Sequence, residues 1–165
     1  MSDLQKEIGD FLHRPALAGL EGGVQLTALP EGHVILILGR AGASSPPLDG
    51  LRLAGPGQWF LVGDAPLSAA EVAALAATPD CAISDQSHGR ARIAVVGPCA
   101  AALLAKGTAL DLEGLAVGAS ATTLLGPIGV HLTRTGPEAF ELMALRSFAV
   151  SLWTDLMEMA AEYEG

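Results

Sequence analysis

The chain has 165 residues, 50% of them hydrophobic, with 9 Lys and Arg against 18 Asp and Glu and a formal net charge of -9. That length supports a core without disulfides or a structural metal, and the charge excludes a general nucleic-acid binder, which needs a cationic surplus to displace counterions. Cys81 and Cys99 have neither metal-ligand spacing nor a disulfide framework, which fits a reducing compartment, and the absence of Asn leaves no N-glycosylation acceptor.

Residues 1–22 read as an N-terminal arm in which Ser2 to Leu12 can form a short helix, ended by His13-Arg14-Pro15; residues 23–165 read as one α+β domain. Met1 to Glu7 lacks the basic lead and apolar run of a secretory signal. Val24 to Leu29 and His33 to Leu38 are strand-like, and Arg40 to Gly50 is a loop by its Gly, Ser and Pro content. Leu51 to Leu53, a Gly55-Pro56-Gly57 turn and the strand Gln58 to Val62 follow. Ser68-Ala69-Ala70-Glu71 is a capping box, which predicts a helix from Ala69 to Ala77, stopped by Thr78-Pro79.

Ala82 to Asp85 is extended, and Arg90 to Val96 alternates Ala91, Ile93 and Val95 with Arg90 and Arg92. Gly97-Pro98 predicts a helix start and Lys106-Gly107 its end. The apolar run Ile93 to Ala105 is too short to span a bilayer, so the expectation is a cytoplasmic protein with no membrane contact. Thr122 to Leu125, Gly129 to Thr133 and Ala139 to Ala144 read as an antiparallel set. Ser147 is the expected cap of a final helix with Phe148, Leu152, Leu156, Met159 and Tyr163 on one face and Ser151, Asp155, Glu158 and Glu162 on the other.

Gly55 to Val62 (GPGQWFLV) is echoed by Gly136 to Met143 (GPEAFELM), and a serine-led helix follows each. The expected architecture is therefore α+β, with mainly antiparallel sheets, a few helices and two similar turn-strand-helix halves. Charged residues are only 16% of the chain, against about 25% in an ordinary domain. Two readings follow: apolar side chains that face another protein, or a monomer with many exposed alanines.

P-loop, dinucleotide-binding, zinc-protease and nucleophile-elbow motifs are all missing from the sequence. The densest polar stretch is Asp85-Gln86-Ser87-His88-Gly89-Arg90-Ala91-Arg92. Asp85, Ser87 and His88 offer an acid/base or nucleophilic group; equally, Asp85 and Ser87 suit a self-bonded turn before a strand, with His88 and Arg90 meeting carbonyls or a partner. His33 and His131 read as hydrogen-bonded core or edge histidines, and Trp59 and Trp153 as core or interface anchors.

The stretch Asp85 to Ala91, then Gly97-Pro98, Leu104-Ala105-Lys106-Gly107 and Leu110-Asp111-Leu112, resembles the gamma subunit of heterotetrameric sarcosine oxidase. Arg134 to Leu142, Arg146-Ser147-Phe148-Ala149 and Leu152-Trp153 look like the same family in the same order. The resemblance covers about Trp59 to the end and implies an aminomethyltransferase-like, folate-binding-type fold. It implies that the chain packs directly on the alpha subunit, with beta and delta in the same complex, and assists oxidative demethylation of sarcosine to glycine. FAD, FMN, NAD, tetrahydrofolate and zinc would then sit on the other subunits. Folate-dependent aminomethyltransferases carry an acidic pair in the hairpin that here reads Gly126 to Arg134, which holds no carboxylate, and this chain is less than half their length. The resemblance thus implies no catalytic residue, cofactor site or metal site in this chain, and Asp85, Ser87, His88, Arg90, Arg134, Arg146 and Trp153 as motif or interface positions. The alternatives are a stand-alone folate or one-carbon-carrier binder, using Arg90, Arg92 or Arg134 against the folate glutamate tail, and a homo-oligomer that buries its own apolar excess.

Overall fold

Antiparallel strands with alternating burial dominate the computed structural model, which describes residues 23–40, 42 and 45–163; the expected arm over 1–22 lies outside the described residues. The order is β1 (Gln25–Ala28), β2 (His33–Gly39), β3 (Leu51–Gly55), β4 (Gln58–Gly63), α1 (Ala69–Ala76) and β5 (Cys81–Asp85). A 3-10 turn at Ser87–Gly89 leads to β6 (Arg90–Val96), then α2 (Ala100–Ala105), β7 (Ser120–Leu125), β8 (Ile128–Gly136) and β9 (Ala139–Leu145). A second 3-10 turn, Arg146–Phe148, precedes α3 (Ala149–Ala160). One sheet runs β1-β6-β9-β8-β7 and the other β3-β4-β2-β5, so the α+β expectation holds.

The sequence echo is a structural repeat. Leu53 pairs with Trp59 and Gly55 with Gln58 across a bulge; Arg134 pairs with Phe140 and Gly136 with Ala139 across a bulge at the matching place. On the other side, Ile37 faces Trp59 as Val95 faces Phe140. The outer strands are exchanged: β1 precedes β2 yet pairs with β6, while β5 precedes β6 yet pairs with β2. Each half therefore supplies a strand to the other's sheet, and backbone hydrogen bonds tie the two together.

Strand alternation then sorts the side chains into layers. Outward from the five-stranded sheet, Ile93, Val95, Leu132, Phe140 and Leu142 pack with Leu103 and Leu104 of α2 and Leu152, Trp153 and Leu156 of α3. Outward from the four-stranded sheet, Ile35, Ile37 and Trp59 pack with Leu75 of α1. Between the sheets, Val34 and Phe60 meet Met143.

Local signals mostly act as read. Ser68 accepts from the Glu71 amide while the Glu71 carboxylate accepts from the Ser68 amide, so both arms of the capping box exist. Two expectations are corrected. The helix after Gly97-Pro98 starts later, at Ala100 behind Cys99, because Gly97 holds φ at +137° and its carbonyl accepts from the Ala100 amide in a turn. Ser147 does not cap α3: the chain enters through the 3-10 turn, Phe148 occupies the cap position without a side-chain bond, and its ring is 46% exposed instead of lying on the core face.

Candidate functional site

The polar stretch after β5 folds on itself before β6 begins. The Ser87 amide and hydroxyl donate to Asp85 Oδ1 at 2.9 and 2.6 Å, and these bonds hold the Asp85 carboxyl below its usual range. Ser87 Oγ in turn accepts from the Val34 amide at 3.0 Å, which pins the turn to β2. His88 is turned away: its ring is exposed and its Nδ1 pairs with Glu31. Among the described residues no bond joins Ser87 to His88, and the Ser87 hydroxyl is held by a carboxylate whose lowered pKa makes it a weak base, so the Asp85-Ser87-His88 nucleophilic arrangement is not assembled here.

Arg146 closes this junction from the far end of β9. Its Nε donates to the His88 carbonyl at 2.6 Å, and its Nη2 to Glu31 Oε2 at 2.8 Å and the Arg90 carbonyl at 3.3 Å. Arg90 donates twice to Gln86 Oε1, at 3.0 and 2.8 Å, and lies 5.3 Å from the centre of the Phe60 ring. The structure thus brings Asp85, Ser87, His88, Arg90 and Arg146 together. Arg134 lies elsewhere, donating to the carbonyls of Glu113, Leu115, Gly136 and Pro137. Trp153 is a core residue of α3, 4% exposed.

A second polar group lies between the sheets, and sequence reasoning missed most of it. Glu141, at the position where the echo has Phe60, is 5% exposed. Its Oε1 accepts from Arg52 Nη1 at 2.7 Å and Arg92 Nε at 2.8 Å; its Oε2 accepts from Arg52 Nη2 at 2.9 Å and Arg92 Nη2 at 3.2 Å. Arg92, 4% exposed, also donates to Asp64 at 2.8 Å. Burial pushes the Glu141 carboxyl up, but the two guanidinium forks outweigh it and keep it below the usual range. Glu141 is a fixed anion joining β3, β6 and β9, unsuited to proton transfer. The available signal was a carboxylate alternating with Phe140 and Leu142 on a strand whose two faces are both covered.

His131 completes this layer. Its ring meets Phe60 edge-on, centres 5.1 Å apart, and Nε2 donates to the Leu53 carbonyl at 2.9 Å. Burial holds its pKa below the ordinary histidine value, and the buried Nδ1 has no hydrogen-bond partner among the described residues. His33 bonds the Ala65 carbonyl at 2.6 Å, so both histidines are hydrogen-bonded as expected. Arg90, Arg92 and Arg134, the candidate contacts for a folate tail, already bind groups of this chain. Among the described residues no helix is long and apolar enough to cross a membrane, and no group of three His, Cys, Asp or Glu could share a metal.

No protein-family model and no curated protein matches the chain. Solved structures do. A chain of the heterotetrameric sarcosine oxidase from Corynebacterium sp. U-96, in complex with pyrrole 2-carboxylate, is 21% identical with a TM-score of 0.78, over 100% of this chain and 97% of that one. Glycine cleavage system aminomethyltransferase T from Bartonella henselae is 19% identical with a TM-score of 0.63, over 92% of this chain but only 48% of that one. The resemblance noted in the sequence therefore holds at the level of the fold: this chain has the aminomethyltransferase-like architecture found in both proteins.

Proposed function

We propose that this chain is the gamma-type subunit of a cytoplasmic heterotetrameric sarcosine oxidase, a non-catalytic brace packed on the alpha subunit. The observation that carries this reading is length-for-length agreement: the fold matches a chain of such an oxidase end to end, whereas it spans about half of an aminomethyltransferase. The inter-sheet chemistry supports it. The Glu141 carboxylate is filled by four bonds from Arg52 and Arg92, and Ser87 is committed to Asp85 and Val34. In this reading the flavins, NAD, tetrahydrofolate and zinc belong to other subunits. The folate-binder alternative loses ground because two of its three candidate arginines, Arg92 and Arg134, would have to leave several internal partners each.

Co-expression of the alpha, beta and delta subunits with and without this chain tests the proposal. The expected result is a loss of assembled, sarcosine-oxidising complex when the chain is omitted. Equal assembly and turnover without it would reject the assembly role, and micromolar tetrahydrofolate binding to the isolated chain would favour the alternative.

A further inference from the structure

The two sheets do not cover each other completely. On the five-stranded sheet, the inner face carries the row Thr122, His131, Met143 and Arg92: Thr122 pairs with His131, His131 with Met143, and Met143 with Arg92. This row is closed by the other sheet, since Thr122 Oγ1 donates to the Ala54 carbonyl, His131 Nε2 to the Leu53 carbonyl, and Met143 packs on Val34 and Phe60. Two residues along each strand, alternation returns Leu124, Gly129, Leu145 and Arg90 to the same face. Leu124 pairs with Gly129 and Leu145 with Arg90, while Gly129 and Leu145 stand one step beyond the Val130–Ala144 pair. Here the cover stops. Leu124 is 59% and Leu145 47% exposed, and a Cβ built on Gly129 would meet nothing within 4 Å. The result is a ledge of two leucines with a side-chain-free notch between them, and exposed Phe148 follows three residues after Leu145.

We infer that this ledge docks a different polypeptide, one that sets an apolar side chain into the notch at Gly129 and a carboxylate towards Arg90. The inference rests on the assembly reading and deepens it by naming the surface. Charge selects the occupant. The row itself carries no acid, and its polar end is Arg90, with His88 and Arg146 joined behind it through backbone carbonyls and Glu31 as the carboxylate bound to them. A second copy meets the ledge poorly: a two-fold contact of ledge on ledge would set Arg90 against its own counterpart, between chains of net charge -9. A partner that presents an aliphatic or aromatic side chain beside Asp or Glu satisfies both the apolar row and its cationic end.

The test is co-expression of the tagged full chain with the alpha and beta subunits of a heterotetrameric sarcosine oxidase, followed by capture on the tag. Leu124→Asp and Leu145→Asp are expected to cut retention of the large subunits at least about tenfold, and His88→Glu about threefold. Val96→Asp, at the opposite end of β6, and Val117→Asp are equally exposed sites elsewhere and are expected to leave retention unchanged. Thermal melts of each variant within a few degrees of the parent chain show that folding is intact; a ledge variant that melts early is replaced by Leu124→Ser or Leu145→Ser and read the same way. Full retention by the ledge variants, or equal loss in the Val96 and Val117 controls, overturns the ledge while leaving the assembly reading standing. Failure of the parent chain to retain either subunit overturns both. Sedimentation showing a dimer of the isolated chain that Leu145→Asp dissolves would replace the foreign partner with a second copy.

Discussion

The two halves share a plan and differ in what covers them. The five-stranded half buries Phe140, Leu142, Ile93 and Leu132 under two helices, and Leu156 of α3 is fully enclosed. The four-stranded half has one short helix over Ile35, Ile37 and Trp59, with Leu75 as its buried residue. Leu75 and Leu156 hold matching places, since each lies 20 residues after the bulge glycine of its hairpin, Gly55 or Gly136. The same secondary structure has thus become a self-sufficient core in one half and a thin one in the other. Matching positions have also diverged at the seam, where one half carries Phe60 and the other carries the buried carboxylate of Glu141. The seam, more than either helix, decides whether the halves stay together.

The largest expected effect follows from that seam. Glu141→Gln removes one anion, leaving the Arg52 guanidinium buried without charge compensation and Arg92 with Asp64 as its remaining carboxylate, a loss on the order of 3–5 kcal/mol. Urea denaturation measures it. A cost below about 1 kcal/mol would mean that water reaches the layer and the sheets are held by apolar contact alone.

Next in size are the paired helix substitutions. Leu156→Ala empties a fully enclosed site and is expected to cost about 4 kcal/mol, whereas Leu75→Ala, at a thinner and 8% exposed site, costs about 2 kcal/mol. Equal losses in thermal or urea unfolding would erase the distinction between the halves.

The seam also titrates. His131 binds a proton less readily folded than unfolded because of its burial, and Glu141 does so because of its arginine partners, which outweigh the opposing effect of burial. Wherever the unfolded chain binds more protons, stability rises with pH. The stability these two groups contribute is therefore full above the ordinary histidine pKa of 6.5, falls below it as unfolded His131 protonates, and falls again below the ordinary carboxyl value of 4.5 as Glu141 of the unfolded chain protonates. His131→Gln, which keeps a donor for the Leu53 carbonyl but does not titrate, should flatten the first step and leave the second. A urea midpoint series between about pH 8 and pH 4 reads both.

How much of this was legible depended on whether the signal was local. Ser68 to Glu71, Val34 to Leu38 and the Gly55 and Gly136 turns act through neighbours in sequence, so their patterns predicted the elements that form. The exchange of β1 and β5 is a long-range choice between equally apolar strands, and nothing in Leu26 or Ile83 says which sheet each will join. Arg92 looked like the polar side of an alternating strand because Ala91, Ile93 and Val95 form the other side; only with a second sheet laid over it does that side become an interior. The same limit applied to the site. Asp85 and Ser87 bond within two residues and were readable as a turn, whereas the joining of Glu31, His88 and Arg146 spans 115 residues of chain.

The smallest expected effect separates two serines that look alike in sequence. Each leads a helix and follows one copy of the echo, so both invite the same reading. Ser68 bonds the amide three residues on, and Ser68→Ala should cost about 1 kcal/mol, concentrated on the thinner half. Ser147 sits inside a 3-10 turn and gives α3 no side-chain cap, so Ser147→Ala should stay within about 0.5 kcal/mol of the parent chain. Urea midpoints of the two variants, measured side by side, decide it. A loss at Ser147 as large as that at Ser68 would mean that α3 in solution starts a residue or two earlier, and that Phe148 then turns inward and leaves the exposed surface beside Leu145.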